Sequence, residues 1–250
     1  MKTKQPTIEQ MFKAGLHYGH QTRRWHPAME NFIHSKKSDT HIIDLQKTSD
    51  ALKKACEVVY EVGKKGDSII LVATKDQHKK LTIETAKEHG VYYVCERWLG
   101  GILTNFTEML KNRGKLVTLK EGLETGAFVN YTKKERLMMQ REVTKLELLN
   151  GGLVGLQKLP GAVFVVDCKK EQTTIQECNK TKVPVISLVD TNSNPKGVTH
   201  IIPGNDDAIS SVDLIVKTIA QSFEEGKNEY EKNAKKAEAK APEATIKKAK

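Results

Sequence analysis

The stretch Ser68-Ile69-Ile70-Leu71-Val72-Ala73 decides the fold class of this chain. Its apolar residues run almost without interruption, which is typical of a strand buried on both faces, as in a parallel sheet. The helical spacing of apolar residues predicts an amphipathic helix before it, over residues 47–65. A second helix near residues 77–89 and a strand over residues 91–94 follow it. This order of elements is a βαβ unit, from which doubly wound sheets are built.

The same alternation returns in the second half of the chain. Strands are predicted over residues 163–167, 185–189 and 199–202, with a helix over about 171–180 between the first two. A strong helix follows the turn at residues 203–206. Its apolar stripe consists of Ile209, Val212, Val216, Ile219 and Phe223. Repeated βαβ units predict an α/β protein with a doubly wound parallel sheet.

Residues 104–150 interrupt the alternation with two helices and no strand between them. Thr132-Lys133-Lys134-Glu135 is a capping box, in which Thr132 and Glu135 each satisfy a free backbone N–H at the start of the second helix. Gly122 and Gly126 supply the turn. We therefore predict an inserted αα-hairpin, a coiled-coil-like arm that would reach roughly 27 Å.

The two ends of the chain differ from this core. After a short helix near residues 7–14, residues 15–27 show no helical or strand period, and a short strand is predicted at residues 41–45. The Lys-, Ala- and Glu-rich end cannot bury a core and is predicted to be disordered or helical only on binding. The predicted regions are a basic N-terminal helix and loop segment (1–40), an α/β core (41–103 and 151–226), the inserted hairpin (104–150) and a basic low-complexity tail (227–250).

The composition is basic. The chain has 41 Lys and Arg against 31 Asp and Glu, so its net charge is +10. Such a balance favours a polyanionic partner, nucleic acid before an anionic membrane. No apolar run is long enough to predict a membrane span, and the N-terminus lacks an apolar signal core. The four cysteines show no C-x-x-C spacing and are interpreted as reduced core residues.

The chain lacks the motifs that equip this fold for catalysis, namely G-x-G-x-x-G, G-x-x-x-x-G-K-[ST] and G-x-S-x-G. Ligands of doubly wound sheets bind beyond the carboxyl ends of the strands. The residues predicted there are Thr74, Asp167, Asp190 to Asn192, Asp206 and Asp207. Their carboxylates could bind a metal or act as acid and base. They could instead form Asx turns and, at Asn205 or Asp206, cap the last helix. We predict no enzyme and no cofactor.

The histidines leave one alternative open. His17, His20 and His26 lie close in the sequence, and His17 or His20 could hold a metal together with Asp190 or Asp206. Zinc needs four ligands in tetrahedral geometry, which the spacing alone does not offer. No metal ligand is therefore assigned.

Basic side chains beside aromatic ones form the candidate nucleic-acid-binding set. Both tryptophans follow an arginine directly, and this pair of groups can contact phosphates and stack on bases. Alternatively, each indole anchors its loop to the core with the arginine packed over it, and the hairpin cations form a solvated helix face. The predicted binding residues are Arg23, Arg24, Trp25, Lys36, Lys37, Arg97, Trp98, Lys111, Arg113 and Lys115.

Residues 15–29 (GLHYGHQTRRWHPAM) resemble the N-terminal signature of the bacterial-type small-subunit ribosomal protein two family. Tyr18 and His26 stand where that family usually has Phe and Asn. Further segments fit the family in its order: HIIDL (41–45), RWLGGILTN (97–105), LPGA (159–162), VDTNSNP (189–195) and IPGNDDAI (202–209). The resemblance covers about residues 7–225.

This resemblance implies a flavodoxin-like parallel sheet flanked by helices, with a protruding helical hairpin. It also implies a position between head and body of the small ribosomal subunit, contacts with small-subunit rRNA, and no catalytic site. Implied partners are neighbouring small-subunit proteins and, where it exists, the large mRNA-binding ribosomal protein one.

Three functional hypotheses follow. The first is a structural ribosomal protein that orders rRNA, not a homo-oligomer, in the bacterial cytoplasm or in an organelle such as a plastid. The second is a small-ligand or metal-binding α/β protein that uses the strand-end carboxylates. The third is a free-standing receptor or scaffold, for which the sequence offers no test.

Overall fold

The computed structural model describes the backbone of residues 5–240 and the side chains of residues 5–235. Its helices are α1 (Ile8–Lys13), α2 (Leu45–Lys64), α3 (Asp76–Glu88), α4 (Phe106–Glu124), α5 (Lys133–Asn150), α6 (Gln172–Thr181) and α7 (Ile209–Lys240). Its strands are β1 (Tyr18–Gln21), β2 (Ile33–Lys37), β3 (Thr40–Ile43), β4 (Ile69–Val72), β5 (Tyr92–Val94), β6 (Ala162–Val166), β7 (Val185–Val189) and β8 (His200–Pro203). Within the described residues, no helix has the length and apolar character needed to cross a membrane.

The central sheet has five parallel strands in the order β5-β4-β6-β7-β8. Every residue of β4, β6 and β7 is buried, which explains their unbroken apolar sequences. One core cluster includes Leu71 and Phe164, and the other includes Ile70 and Val163, neighbours in the same strands. Since alternate residues of a strand face opposite sides, helices cover both faces. The predicted α/β class and flavodoxin-like strand order are confirmed.

The N-terminal segment is more regular than predicted. β1, β3 and β2 form a separate antiparallel sheet, and the strand predicted at residues 41–45 belongs to it as β3, not to the parallel sheet. The expectation of an irregular loop was wrong because these strands are only four or five residues long, contain a single fully buried residue, and are interrupted by register shifts. Such strands carry no apolar alternation.

The two helices predicted between residues 104 and 150 are present as α4 and α5, with the capping box at Thr132 and Glu135. Ion pairs join the helices from Lys115 to Glu142 and from Lys120 to Glu147. At the connecting turn, the ring of Phe128 lies over Gly122, where an added Cβ would approach it to 2.4 Å.

Helix α7 continues to Lys240, so the first part of the tail predicted to be disordered is helical. Its continuation packs against α2, because the Tyr60 hydroxyl donates to Glu229 and the ring of Tyr230 lies over Gly66. Residues 241–250 of the predicted tail lie outside the described residues. The predicted apolar stripe is buried except for Ile209, the exposed first residue of the helix. All four cysteines are free and buried.

Candidate functional site

The segment that carries most of the candidate residues is fixed to the carboxyl edge of the parallel sheet. The backbone N–H of His20 donates to Thr191 Oγ1 at 2.8 Å, and that of His26 donates to the Thr191 carbonyl at 2.7 Å. The N–H of Asn205 donates to the carbonyl of Leu16 at 3.1 Å. These bonds hold the N-terminal sheet in one position on the core, so that its cations are presented rigidly.

Arg23, Arg24 and Trp25 lie together on the surface of this segment. Arg23 Nε donates to Gln21 Oε1 at 3.0 Å, which orients its side chain. Trp25 is 36% exposed, and its ring centroid lies 5.4 Å from that of His41. The indole is therefore packed on one side and accessible on the other, so it both anchors the loop and offers a stacking surface.

Lys36 and Lys37 are exposed at the end of β2. Ser38 and Asp39, which join β2 to β3, both have positive φ, as a tight two-residue hairpin turn requires. Lys36 lies 3.6 Å from the Asp39 carboxylate, but both side chains are exposed, so this pair is weak. The hairpin therefore presents both ammonium groups to solvent.

Arg97 and Trp98 are adjacent in the sequence but differ in exposure. Arg97 is exposed. Trp98 is 5% exposed, and its Nε1 donates to Glu177 Oε1 at 3.2 Å. The prediction that Trp98 binds nucleic acid is wrong, because its ring lies in the core.

Glu177, which the sequence did not single out, organises the loop after Trp98. Its carboxylate accepts the N–H groups of Gly101 at 2.7 Å and Leu103 at 3.0 Å, with Thr104 adding a third. Burial acts to raise the pKa of Glu177, but these donors outweigh it and lower the pKa. The buried carboxylate thus fixes the loop that begins at Arg97.

The three candidate cations of the hairpin also differ in exposure. Lys111 and Lys115 are exposed and pair with Glu108 at 2.6 Å and Glu142 at 2.5 Å. Arg113 is 3% exposed, and its Nη1 donates to the Leu156 carbonyl at 3.2 Å. Burial lowers the pKa of Arg113. The prediction that Arg113 binds nucleic acid is therefore wrong, since its guanidinium connects α4 to the core.

Lys75 closes the edge of the sheet where ligands bind in this fold. Its ammonium lies 3.0 Å from Asp167 and 2.8 Å from both Asp206 and Asp207. Lys75 follows β4 and Asp167 follows β6, so their ion pair spans the topological switch point of the sheet. Burial opposes the charge of Lys75, but Asp206, Asp207 and Asp167 together raise its pKa. Burial, with Asp167 and Asp190, raises the pKa of Asp206 to about 7.

His20 contacts the remaining carboxylate at this edge, that of Asp190. Its Nδ1 lies 3.0 Å from Asp190, and its Nε2 lies 3.3 Å from Asp207. The hydrogen bond to Asp190 raises the pKa of His20, although burial acts against it. His17 is elsewhere, its ring stacked on Phe12 at 4.3 Å and close to Tyr18.

The carboxylates at this edge are already paired with cations or backbone N–H groups of the chain itself. Within the described residues, no group of three or more His, Cys, Asp or Glu side chains could hold a metal ion. Asp167 accepts the N–H of Lys169 in an Asx turn, and Asn205 accepts the N–H groups of Asp207 and Ala208 ahead of α7. The structural interpretation of these strand ends therefore fits better than the ligand-binding one.

Comparison with known proteins gives the family. The family model described as ribosomal protein S2 matches residues 11–226. The chain belongs to the ribosomal protein S2 family. It is 44% identical to the small ribosomal subunit protein uS2 of Dictyoglomus thermophilum, over 91% of this chain and 92% of the relative. It is 42% identical to the uS2 protein of Chlorobaculum tepidum over 88% of each chain, and 41% identical to that of Parabacteroides distasonis over 94% of this chain.

In this S2-family chain, the structure divides the predicted residues into two groups. The exposed group comprises Arg23, Arg24, Trp25, Lys36, Lys37, Arg97, Lys111 and Lys115. Trp98 and Arg113 form the buried group. The sequence offered no signal for Glu177 or Lys75, since their partners lie far away along the chain.

Proposed function

We propose that this chain is a structural component of the small ribosomal subunit, without catalytic activity, that binds small-subunit rRNA between head and body. The observation that carries the proposal is the rigid N-terminal sheet, which presents Arg23, Arg24 and Lys37 to solvent without a carboxylate partner among the described residues. Membership of the ribosomal protein S2 family supports it.

The mechanism is phosphate contact that positions RNA. Guanidinium groups bind phosphate oxygens through paired N–H donors, and such contacts orient RNA without reading its sequence. The accessible face of Trp25 would stack on an unpaired base. Arg97 would add a contact from the loop that Glu177 fixes.

The partners and location belong to the same proposal. The chain would act as a single copy among neighbouring small-subunit proteins and would help to hold the large mRNA-binding ribosomal protein one where that protein exists. Because the reported relatives are bacterial, we place it on the ribosome of a bacterial cytoplasm, with an organelle ribosome as the alternative.

The test compares two triple variants on purified small subunits. Arg23→Ala/Arg24→Ala/Arg97→Ala should reduce occupancy at least tenfold at moderate salt, because phosphate contacts weaken steeply with salt. The control, Lys53→Ala/Lys80→Ala/Lys87→Ala, removes the same charge from α2 and α3 and should leave occupancy near one copy. Equal occupancy of both variants would refute the role of the three arginines. Absence of the unaltered chain from small subunits would refute the proposal.

A further inference from the structure

The side of the molecule that α6 covers carries an unbalanced charge. Between residues 155 and 205, every carboxylate is buried and every lysine is exposed. The carboxylates are Asp167, Glu171, Glu177 and Asp190, and the lysines are Lys158, Lys169, Lys170, Lys180, Lys182 and Lys196. The carboxylates are engaged inside the protein, as Glu177 is with the backbone of residues 101–104. None of them is therefore left at the surface to pair with the lysines.

A polar stripe along α6 leads to two of these lysines. Thr173, Gln176 and Lys180 are exposed and, at 3.6 residues per turn, lie within an arc of roughly 60°. Lys182 follows directly after the helix with a positive φ of 58° and is also exposed. The helix therefore ends in two ammonium groups, preceded on its outer face by a hydroxyl and an amide.

A third lysine is held beside the same end of the helix. The Asn179 side chain donates to the Gly197 carbonyl at 3.1 Å, which fixes the turn that carries Lys196 against α6. The three lysines have no carboxylate partner within the part of the chain whose side chains are described. We call the resulting patch the α6 surface, which comprises Thr173, Gln176, Lys180, Lys182 and Lys196.

The opposite face of the parallel sheet differs in charge. Ile175 of α6 belongs to one core cluster and Leu52 of α2 to the other, so the two helices cover opposite faces. On α2, exposed lysines alternate with exposed carboxylates such as Glu57 and Glu61. The excess of unpaired positive charge is thus a property of the α6 side, and the lysines of the other side provide a matched control.

We propose that the α6 surface binds the phosphate backbone of double-stranded RNA, as an RNA contact separate from the N-terminal sheet. Lysine is depleted at protein–protein interfaces, whose centres are apolar, and no large hydrophobic side chain between residues 160 and 208 is exposed. Without an exposed aromatic ring, the surface cannot stack on unpaired bases. Ammonium groups contact phosphates, and the hydroxyl and amide can bond to 2′-hydroxyls. That this RNA is small-subunit rRNA rests on the proposed function.

Titration of the purified chain with duplex RNA tests the α6 surface. The probe is a fluorescent RNA duplex of about 16 base pairs, and its anisotropy is followed at several salt concentrations. Lys180→Gln/Lys182→Asn/Lys196→Gln should lower the affinity about tenfold at moderate salt. It should also make the salt slope shallower by about 2, because each phosphate contact releases counterions. Asn replaces Lys182 because Asn tolerates the positive φ there.

The matched control, Lys53→Gln/Lys80→Gln/Lys87→Gln, removes the same charge from α2 and α3 and should change the affinity by no more than about twofold. Equal losses in the two variants would show that only net charge matters and would overturn the inference. It is also overturned if the α6 variant binds the duplex as the unaltered chain does, or loses affinity for single-stranded RNA alone.

Directed cleavage from α6 gives the second arm, in the assembled particle. All four native cysteines are buried, so Gln176→Cys supplies the reactive thiol to which an iron–EDTA group is attached. We expect hydroxyl radicals from position 176 to cut both strands of one rRNA helix. Glu84→Cys, at an exposed site of α3, is the control and should leave that helix uncut.

The outcomes separate this inference from the proposed function. If small subunits contain the chain and position 176 cuts no RNA, or position 84 cuts the same helix, the inference is overturned. If the unaltered chain is absent from small subunits, the proposed function fails instead, and the duplex titration alone decides whether the α6 surface binds RNA.

Discussion

At the scale of single residues, burial decides which charges remain for a partner. Glu177, Arg113 and Lys75 each lie close to exposed candidate residues, yet each is bound within the protein. A buried charge is costly unless hydrogen bonds or counter-charges compensate it, and Glu177 and Lys75 are compensated in this way. Arg113 is less well compensated, because it donates to one carbonyl and its Nε and Nη2 are buried without a hydrogen-bond partner. Arg23, Arg24 and Lys37 of the N-terminal segment have no carboxylate partner among the described residues, so their charges remain open to solvent.

Glu177→Gln should lower the free energy of unfolding by about 2 kcal/mol, because an amide cannot accept all the N–H groups that the carboxylate accepts. The pKa of Glu177 is lowered in the folded protein. Its contribution to stability is therefore present at pH values above the ordinary carboxyl pKa, and it is lost as pH falls through the pKa that Glu177 has in the folded protein. Urea unfolding at neutral pH measures the change. The control Glu84→Gln, at an exposed site on α3, should stay within about 0.5 kcal/mol; equal losses would contradict the role of Glu177.

The pKa of His20 should lie above its ordinary value of 6.5 and should fall in Asp190→Asn, because the hydrogen bond to Asp190 is the main cause of the shift. The imidazole titration followed by NMR measures this directly. A histidine whose pKa is raised on folding stabilises the fold below pH 6.5. This stabilisation is lost as pH rises through the pKa that the histidine has in the folded protein. The stability deficit of His20→Gln should therefore shrink at alkaline pH. Asp39→Asn, on the same N-terminal sheet, should leave the His20 titration unchanged; a His20 pKa that is insensitive to Asp190→Asn would contradict the assignment.

At the scale of elements, α2 and α7 pack with their backbones in close contact. An added Cβ at Gly226 would lie 2.2 Å from the Tyr60 carbonyl oxygen, and one at Gly63 would lie 2.6 Å from that of Phe223. Both neighbours are backbone atoms, which cannot move aside alone. The two glycines therefore set the distance between the helices and let α7 continue along α2.

Gly226→Ala should lower the free energy of unfolding by about 1–3 kcal/mol, as overpacking does in well-packed cores. Gly114→Ala is the matched control, because Gly114 also lies inside a helix but has open space around its Cβ position. It should raise stability by about 0.5–1 kcal/mol through its better helix propensity. Thermal unfolding of both variants measures the difference, and a stabilised Gly226→Ala protein would show that the helix contact is looser than described.

The sequence predicts those elements whose stability is local or whose burial is complete. The strands β4, β6 and β7 were predictable from unbroken apolar runs, and α5 from its capping box. The N-terminal sheet was not, because its short strands depend on contacts such as that of His20 with Thr191, 171 residues away. The burial of Trp98 and Arg113 depends on Glu177 and Leu156, 79 and 43 residues away, so no local pattern reveals it.

At the scale of the whole molecule, the chain has the strand order of a doubly wound fold, but its own side chains pair across the edge where ligands of this fold bind. Lys75 joins the ends of β4 and β6, and His20 joins the N-terminal sheet to Asp190. The carboxyl edge thus becomes the contact between the core and the N-terminal sheet. The exposed candidate cations lie outside these pairs, on the N-terminal sheet, at Arg97 and on helix α4.

The dependence of RNA affinity on salt should separate phosphate contacts from stacking. For the purified chain binding small-subunit rRNA, log K falls linearly with log salt, with a slope of about −0.7 to −0.9 per phosphate neutralised. Arg23→Ala/Arg24→Ala/Arg97→Ala should therefore make the slope shallower by about 2 to 3. Trp25→Ala should weaken binding roughly tenfold at every salt concentration with the slope unchanged, because stacking releases no counterions. Titrations of both variants against the unaltered chain give the two slopes. If the triple variant keeps the original slope, these arginines do not meet phosphates, and the N-terminal sheet is a docking element of the core instead of an RNA-binding surface.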